Sequence, residues 1–464
     1  MADAELQTET PEQEVPAGDA HRSPDFIHQL EEAIRSDDRD ALLGLIAPLR
    51  PEDLADIFET LSSPDRRGLV RLASDTLDPA FLIELDGAVF REVAGELPTE
   101  QIAEAVEQLD SDDAVYIMEG LDEQSQQTVL RQIASVDRAA IEEGLAYPED
   151  SAGRLMQRDL VVVPQFWTVG QTIDFMRAQK AKLPKEFYEI IVTDPFFRPL
   201  GTVPLASVMR SKRKVSMQEL IDPDLHLILV TADQEEVAYT FNKYHLISAP
   251  VVNAEGRLVG VITVDDIVTV IEEEAQEDIL ALAGVSEGVH EGVWSTTRTR
   301  FWWLLVNLGT AILASFVIGL FDATIEAFVA LAVLMPIVAS MGGNAGTQTM
   351  TVAVRAIATR ELSPANAMRI VNKELIVSLF NGIALALVIG VVAMLWFGNF
   401  LLGLVLAVAM VVNMVIAGLS GILVPMILDR LKVDPAVASS VFVTTITDVV
   451  GFLAFLGLAA LILI

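Results

Sequence analysis

The sequence has 464 residues, is 52% hydrophobic and carries a formal charge of −34, yet its mean hydropathy is +0.45. The charge is unevenly placed: residues after Arg300 hold six basic and seven acidic side chains, whereas residues 1–300 hold 25 and 58. An acidic polar half joined to a nearly uncharged half excludes both a single soluble globule and an outer-membrane barrel.

The acidity also argues against nucleic acid as a partner, because phosphates are bound by Lys and Arg. With no cysteine, disulfides, thiolate metal sites and cysteine nucleophiles are excluded. The opening MADAELQTETPEQE is polar and acidic, so no signal peptide is expected there and the amino-terminal half is expected to stay in the cytoplasm. Residues 1–22 read as a disordered acidic tail.

Residues 23–146 show short amphipathic helices with a repeat. LADIFETL (Leu54 to Leu61) returns 48 residues later as IAEAVEQL (Ile102 to Leu109), each followed by a polar turn, SSPD or DSDD, that caps the next helix. Ser63 and Pro64 suit an N-cap and a first helical position. The pattern fits a small helical superhelix of the HEAT kind, or helix pairs without true repetition.

Residues 147–272 change to short β-branched runs between helices. IIVTD (Ile190 to Asp194) and LGTVPLASV (Leu200 to Val208) are answered 59 residues on by APVVN (Ala249 to Asn253) and LVGVITVDDIV (Leu258 to Val268). This duplicated strand, glycine turn, strand and helix looks like a tandem pair of CBS modules, which resemblance implies an α+β fold and binding of an adenine nucleotide or ions.

The run EEEAQEDILALAG, within an expected connecting helix over 273–300, puts Glu274 and Asp278 at i, i+4 and Glu274 and Glu277 at i, i+3. Like charges at those spacings repel, and a bound cation would relieve the repulsion.

Over 301–464 a spanning helix needs about 20 apolar residues, so the uncharged intervals count the passes. Arg300 to Asp322 encloses one span. Glu326 to Arg355 encloses a second, containing Pro336 and MGGNAGTQT, and Glu374 to Asp429 encloses two, with a turn at Trp396 to Phe400. Pro435 to Ile464 makes the fifth. Arg355, Arg360, Arg369 and Lys373 lie between spans two and three, and Arg430 and Lys432 between four and five. The positive-inside rule therefore places those loops and the soluble half in the cytoplasm and the carboxyl terminus outside.

Two polar features interrupt the apolar half. Asp448, in TTITDVVG, costs at least about 2.5 to 3.5 kcal/mol to insert as a lone carboxylate. Thr444, Thr445 and Thr447 precede it, and Thr444 shares its helix face, so a cation site is expected. The run Gly342 to Gln348 reads either as small residues for close helix packing or as an unwound stretch offering carbonyl oxygens to a cation.

In this order, YPEDSAGRLM (Tyr147 to Met156), EEEAQEDI (Glu272 to Ile279), PIVASMGGNAGTQT (Pro336 to Thr349) and TTITDVVG (Thr444 to Gly451) resemble the MgtE family of magnesium channels across nearly the whole chain. The resemblance implies a multidomain α-helical membrane protein: a helical superhelix N domain, an α+β CBS pair, a connecting plug helix and five transmembrane helices. It further implies a multi-pass homodimer in the plasma (inner) membrane, in contact with lipid, that imports Mg²⁺ and is closed by cytoplasmic Mg²⁺. Asp448 would be the pore aspartate. Asn344, Thr347, Thr351, Ser440 and Thr444 would line the path, and Asp266, Glu274, Glu277 and Asp278 would bind regulatory Mg²⁺.

His245 and Thr269 stand where the family commonly has acidic residues, and Ser440 and Val441 replace a more usual Asn-Pro or Gly-Pro. Transport of another divalent ion such as Co²⁺, or Mg²⁺ export, is the alternative expectation. An enzyme is not expected: His21, His28, His226, His245 and His290 are scattered outside the membrane half, without a nucleophile-base arrangement or a phosphate loop.

Overall fold

The computed structural model describes residues 20–463 apart from 180–182, 185–186, 223, 286–287 and 364. The tail expected over 1–22 thus lies mostly outside the described residues; Ala20–Arg22 form a 3₁₀ turn in which His21 is buried. The chain divides into two compact units, residues 1–271 and 272–464.

Among the described residues the first unit opens with nine α-helices: α1 (Pro24–Arg35), α2 (Arg39–Ile46), α3 (Pro51–Thr60), α4 (Ser63–Ala73), α5 (Gly87–Glu96), α6 (Thr99–Gln108), α7 (Ser111–Gly120), α8 (Glu123–Gln132) and α9 (Ser135–Leu145). The repeat read in the sequence is structural. Leu54, Ala55, Ile57 and Phe58 are the buried face of α3, and Ile102, Ala103, Ala105 and Val106 take the same places on α6. Both faces join one continuous apolar core. The start of α4 is shifted by one residue from expectation: Ser62 is the N-cap, and Ser63 and Pro64 are the first helical residues. The Ser62 hydroxyl is occupied by the Asp65 carboxylate, a bond that Asp three residues into a helix can make.

After α10 (Ala152–Leu155) come two three-stranded sheets of identical topology. The first orders β1 (Val162–Pro164), β2 (Glu189–Thr193) and β3 (Pro199–Pro204), with α11 (Val169–Ala178) between β1 and β2 and α12 (Leu205–Arg210) following. The second orders β4 (Ile228–Leu229), β5 (Ser248–Val252) and β6 (Leu258–Thr263), with α13 (Gln234–Tyr244) between β4 and β5. In each sheet the first pair is parallel and the second antiparallel. Val192 faces Gly201 and Val251 faces Gly260, each just before a register shift. The glycines are needed for close approach: a Cβ on Gly260 would lie 2.9 Å from the Gln157 carbonyl oxygen, on the strand partner of Val261.

Helix α14 (Val264–Leu282) begins with the last helix of the second module and runs through the acidic stretch. It stops at Gly284, whose φ of 70° only glycine adopts readily. The connecting helix expected over 273–300 is therefore two elements, because α15 (Val293–Gly319) starts anew and continues as the first span.

The second unit holds α15, the short α16 (Asp322–Ala327), α17 (Ala330–Ala358), α18 (Ala367–Phe397), α19 (Phe400–Arg430) and α20 (Pro435–Ile462). Five of its helices are long and apolar enough to cross a membrane. The expected turn between spans three and four is present: Gly398 has φ 62° and Asn399 caps α19, accepting from the Leu401 and Leu402 amides. Helix α19 is the most buried of the five, and its apolar side joins α17 and α20 in one core.

Candidate cation path and acidic sites

Helix α20 starts at Pro435, preset for a first helical position, with Asp434 as N-cap accepting from the Ala436 amide at 2.7 Å. From that start, Ser440, Thr444 and Asp448 fall at i, i+4 intervals on one face. Thr444 is exposed on the surface of the unit, and Ser440 and Asp448 are half-exposed. On α17, Asn344, Thr347 and Thr351 are likewise exposed. Hydroxyl groups on these faces are tied down: Thr444 donates to the Ser440 carbonyl at 2.8 Å and Thr351 to the Thr347 carbonyl at 3.0 Å. Thr447 departs from the expected polar stripe; it is fully buried, and its methyl group lies against Gly346. Among the described residues no ion pair involves Asp448.

The glycine run does not unwind. Helix α17 is continuous from Ala330 to Ala358, so its carbonyls remain within the helix, and the expectation of freed carbonyl ligands is corrected. The reason is packing. Gly342 and Gly346 are buried; a Cβ on Gly346 would meet Val443 of α20 at 2.6 Å, while Gly343, turned away, has open space.

The first unit contains a cluster of carboxylates that is only partly legible in the sequence. Asp266, at the start of α14, accepts from the Thr263 hydroxyl at 2.8 Å. Burial, and then the charges of Asp265 and Asp110, push its carboxyl up to about 6. Asp113 on α7 is pushed up to about 7, by burial first and then by Asp266, Asp110, Glu84 and Asp265. Asp112 is buried, and its carboxyl is raised well above the usual range by burial and by Asp266 and Asp113. Its Oδ1 has no hydrogen-bond partner. Asp159 is raised too, through burial and Asp110.

Uncompensated carboxylates gathered in this way favour a proton or a cation. In the sequence, Asp112 and Asp113 stand only as part of the DSDD cap. The available signal was two acids where one would cap the helix.

Glu274, Glu277 and Asp278 lie in the second unit. Asp278 is half-buried, its carboxyl raised by burial and then by Asp434 and Glu277. It thus neighbours the residue that caps α20.

A cavity of about 290 Å³ in the first unit, where the start of α7 meets the CBS pair, is lined by Phe187, Tyr188, Ser248 and the carboxylates Asp110, Asp159, Glu189 and Asp265. His21, Asp53 and Asp56 also sit close enough to share an ion. There Arg22 already pairs with Asp56, and the His21 Nε2 is 3.0 Å from the same carboxylate, so the group is satisfied as an ion-paired clasp between the 3₁₀ turn and α3. Of the departures noted in the sequence, His245 caps α13 in the left-handed region at φ 53°.

A five-span apolar unit with one intramembrane carboxylate, attached to a CBS-containing acidic half, defines a multi-pass membrane protein of the cation-transporter class. Residues 335–458 match the family described as divalent cation transporter (MgtE), residues 49–150 the MgtE intracellular N domain and residues 217–273 the CBS domain. The magnesium transporter MgtE of Thermus thermophilus is 32% identical over 454 residues, 94% of this chain and 98% of that protein. That of Bacillus subtilis is 29% identical over 422 residues, 90% of this chain and 92% of that protein. A crystal structure of the cytosolic domain of the Mg²⁺ channel MgtE in complex with ATP is 28% identical, covers 53% of this chain and 99% of its own, and has a TM-score of 0.48. The chain belongs to the MgtE family.

Proposed function

We propose that the chain carries Mg²⁺ across the membrane into the cytoplasm, along a path made by α17 and α20, and that cytoplasmic Mg²⁺ closes it. The observation that carries this reading is Asp448 at the end of the Ser440–Thr444 face, half-exposed inside a spanning helix without an ion-pair partner among the described residues. Mg²⁺ dehydrates reluctantly and prefers octahedral oxygen coordination. A carboxylate with neighbouring hydroxyls holds such an ion through its water shell.

The polar face lies on the outside of the protomer. Exposed polar side chains in spanning helices need a partner or water, which supports a homodimer with the path at its axis and two Asp448 carboxylates facing one divalent ion. Asn344, Thr347, Thr351, Ser440 and Thr444 would line that path. The orientation follows from the basic loops, with the carboxyl terminus outside.

Regulation would use the two acidic groups. Mg²⁺ held by Asp112, Asp113 and Asp266 would keep α7 on the start of α14. Mg²⁺ shared by Asp278, Glu277 and Asp434, with Glu274 a turn away, would act on the first turn of the helix that carries Asp448. When the ion leaves, mutual repulsion of these carboxylates opens each contact. The cavity at the CBS pair is proposed to take an adenine nucleotide, its aromatic Phe187 and Tyr188 on the base and its carboxylates requiring that the phosphates arrive with bound Mg²⁺.

The test is flux into liposomes. Asp448→Ala is expected to abolish selective Mg²⁺ flux while the protein remains folded. Retained selective flux would remove Asp448 from the path, and preference for Co²⁺, or outward-only flux, would favour the alternative cargo or direction.

A further inference from the structure

Asn413 is a fully buried polar residue in the middle of α19, the most apolar of the five spanning helices. Its Nδ2 donates to the Val338 carbonyl of α17 at 2.7 Å. Its Oδ1 is buried and has no hydrogen-bond partner among the described residues. The amide lies against two glycine backbones. A Cβ on Gly451 of α20 would sit 2.8 Å from Nδ2, and a Cβ on Gly342 of α17 would collide with the same nitrogen.

One side chain therefore touches both helices of the proposed path. Gly451 is one turn from Asp448, and Gly342 is one turn before Gly346. An unpaired amide oxygen in a dry interior is a cost, and an apolar side chain at this position would avoid it. What the amide adds is a flat body between two bare backbones and a directional bond to one of them.

We propose that Asn413 is a positioning residue for ion selection: it fixes the spacing of α17 and α20, and hence the width of the path at Asp448. The inference rests on the transport reading and adds a selectivity determinant outside the path. Size selection of a hydrated ion requires that its walls hold their separation, and a contact clamped by one hydrogen bond and two glycines has little slack.

The experiment compares Mg²⁺ and Ca²⁺ flux in liposomes for the wild type, Asn413→Ala, Asn413→Leu, Gly342→Ala and the double variant Gly342→Ala/Asn413→Ala. Both single Asn413 variants are expected to keep Mg²⁺ flux but to lose Mg²⁺ over Ca²⁺ preference by about tenfold. Asn413→Leu removes the unpaired oxygen but puts bulkier, non-planar methyl groups against the two glycines; it fills the space that Asn413→Ala empties, so an equal loss of preference in both variants is a combination that mere loss of packing would not give. Gly342→Ala alone should be poorly folded; the double variant, in which the new methyl group occupies space vacated by the amide, should fold again and remain unselective.

An unchanged preference in any folded Asn413 variant overturns the proposal. If the wild type passes no Mg²⁺, the transport reading fails instead, and spacing is then read directly. Because the chain has no cysteine, Val352→Cys and Leu453→Cys can carry spin labels on α17 and α20, with labelled chains diluted in unlabelled ones. Asn413→Ala should broaden the distance distribution, and an unchanged distribution would sink the idea.

Discussion

Asp113 and Asp266 are two residues whose carboxyls are pushed toward neutral pH. Each has a folded-state carboxyl above its unfolded value, at about 7 and about 6 respectively. Between the unfolded value near 4 and those values the folded protein holds more protons than the unfolded chain. The contribution of these two groups to the contact between α7 and the start of α14 therefore falls as pH rises through that window and levels off above it. A cation must displace those protons, so Mg²⁺ should bind this group more tightly at pH 7.5 than at pH 5.5 and release protons as it does. Calorimetry of the purified chain in buffers of different ionisation enthalpy checks this; binding independent of pH would place Mg²⁺ elsewhere. Asp266 was legible in the sequence only through the family resemblance, and Asp112 and Asp113 were not. A helix cap and a metal ligand use the same side chain, and only folding brings α7 to the start of α14.

Among the elements, α17 shows how two readings of one motif are separated by packing. The run from Gly342 to Gly346 is compatible in sequence with a broken helix or a closely packed one, since glycine favours both. The structure keeps the helix and uses alternate glycines differently. Gly343→Ala should therefore be nearly neutral, within about 0.5 kcal/mol. Gly346→Ala, blocked by Val443, should destabilise by about 1 to 3 kcal/mol. Thermal unfolding in detergent distinguishes them, and equal effects would contradict the packing role.

The spans were readable because long uncharged intervals leave little choice in a bilayer. The division of the connecting segment is less legible, although LALAGV contains its stop: Gly284 ends α14, and the acidic helix belongs to the second CBS module's last element rather than to the first span. The CBS pair was legible because its 59-residue repeat fixes both the glycines and the register shifts.

At the scale of the whole molecule, the charge division seen first in the composition becomes a division of labour. Among the described residues up to 300, most acidic side chains are at least partly exposed, and a subset around Asp112, Asp113 and Asp266 is desolvated and mutually repelling. Chelating divalent cations should therefore loosen the first unit. Limited proteolysis between α9 and β1 is expected to speed up in EDTA and to be suppressed by Mg²⁺ but not by K⁺ at equal ionic strength. An Asp112→Asn/Asp266→Asn variant should lose that dependence; a variant that kept it would show that other carboxylates bind the ion.

The internal hydrogen bonds of Thr351 and Thr444 carry a further consequence for what can pass. Each hydroxyl has given its only proton to its own helix, so it turns lone pairs, not hydrogens, toward the proposed path, as does the Asp448 carboxylate. The first water shell of a cation points its hydrogens outward and finds acceptors on this wall. Each water in the shell of an anion spends one hydrogen on the ion and turns its oxygen outward, leaving fewer hydrogens for this wall. In the proposed path, such a wall would read the sign of an ion from the orientation of its water, before any bare charge comes into contact.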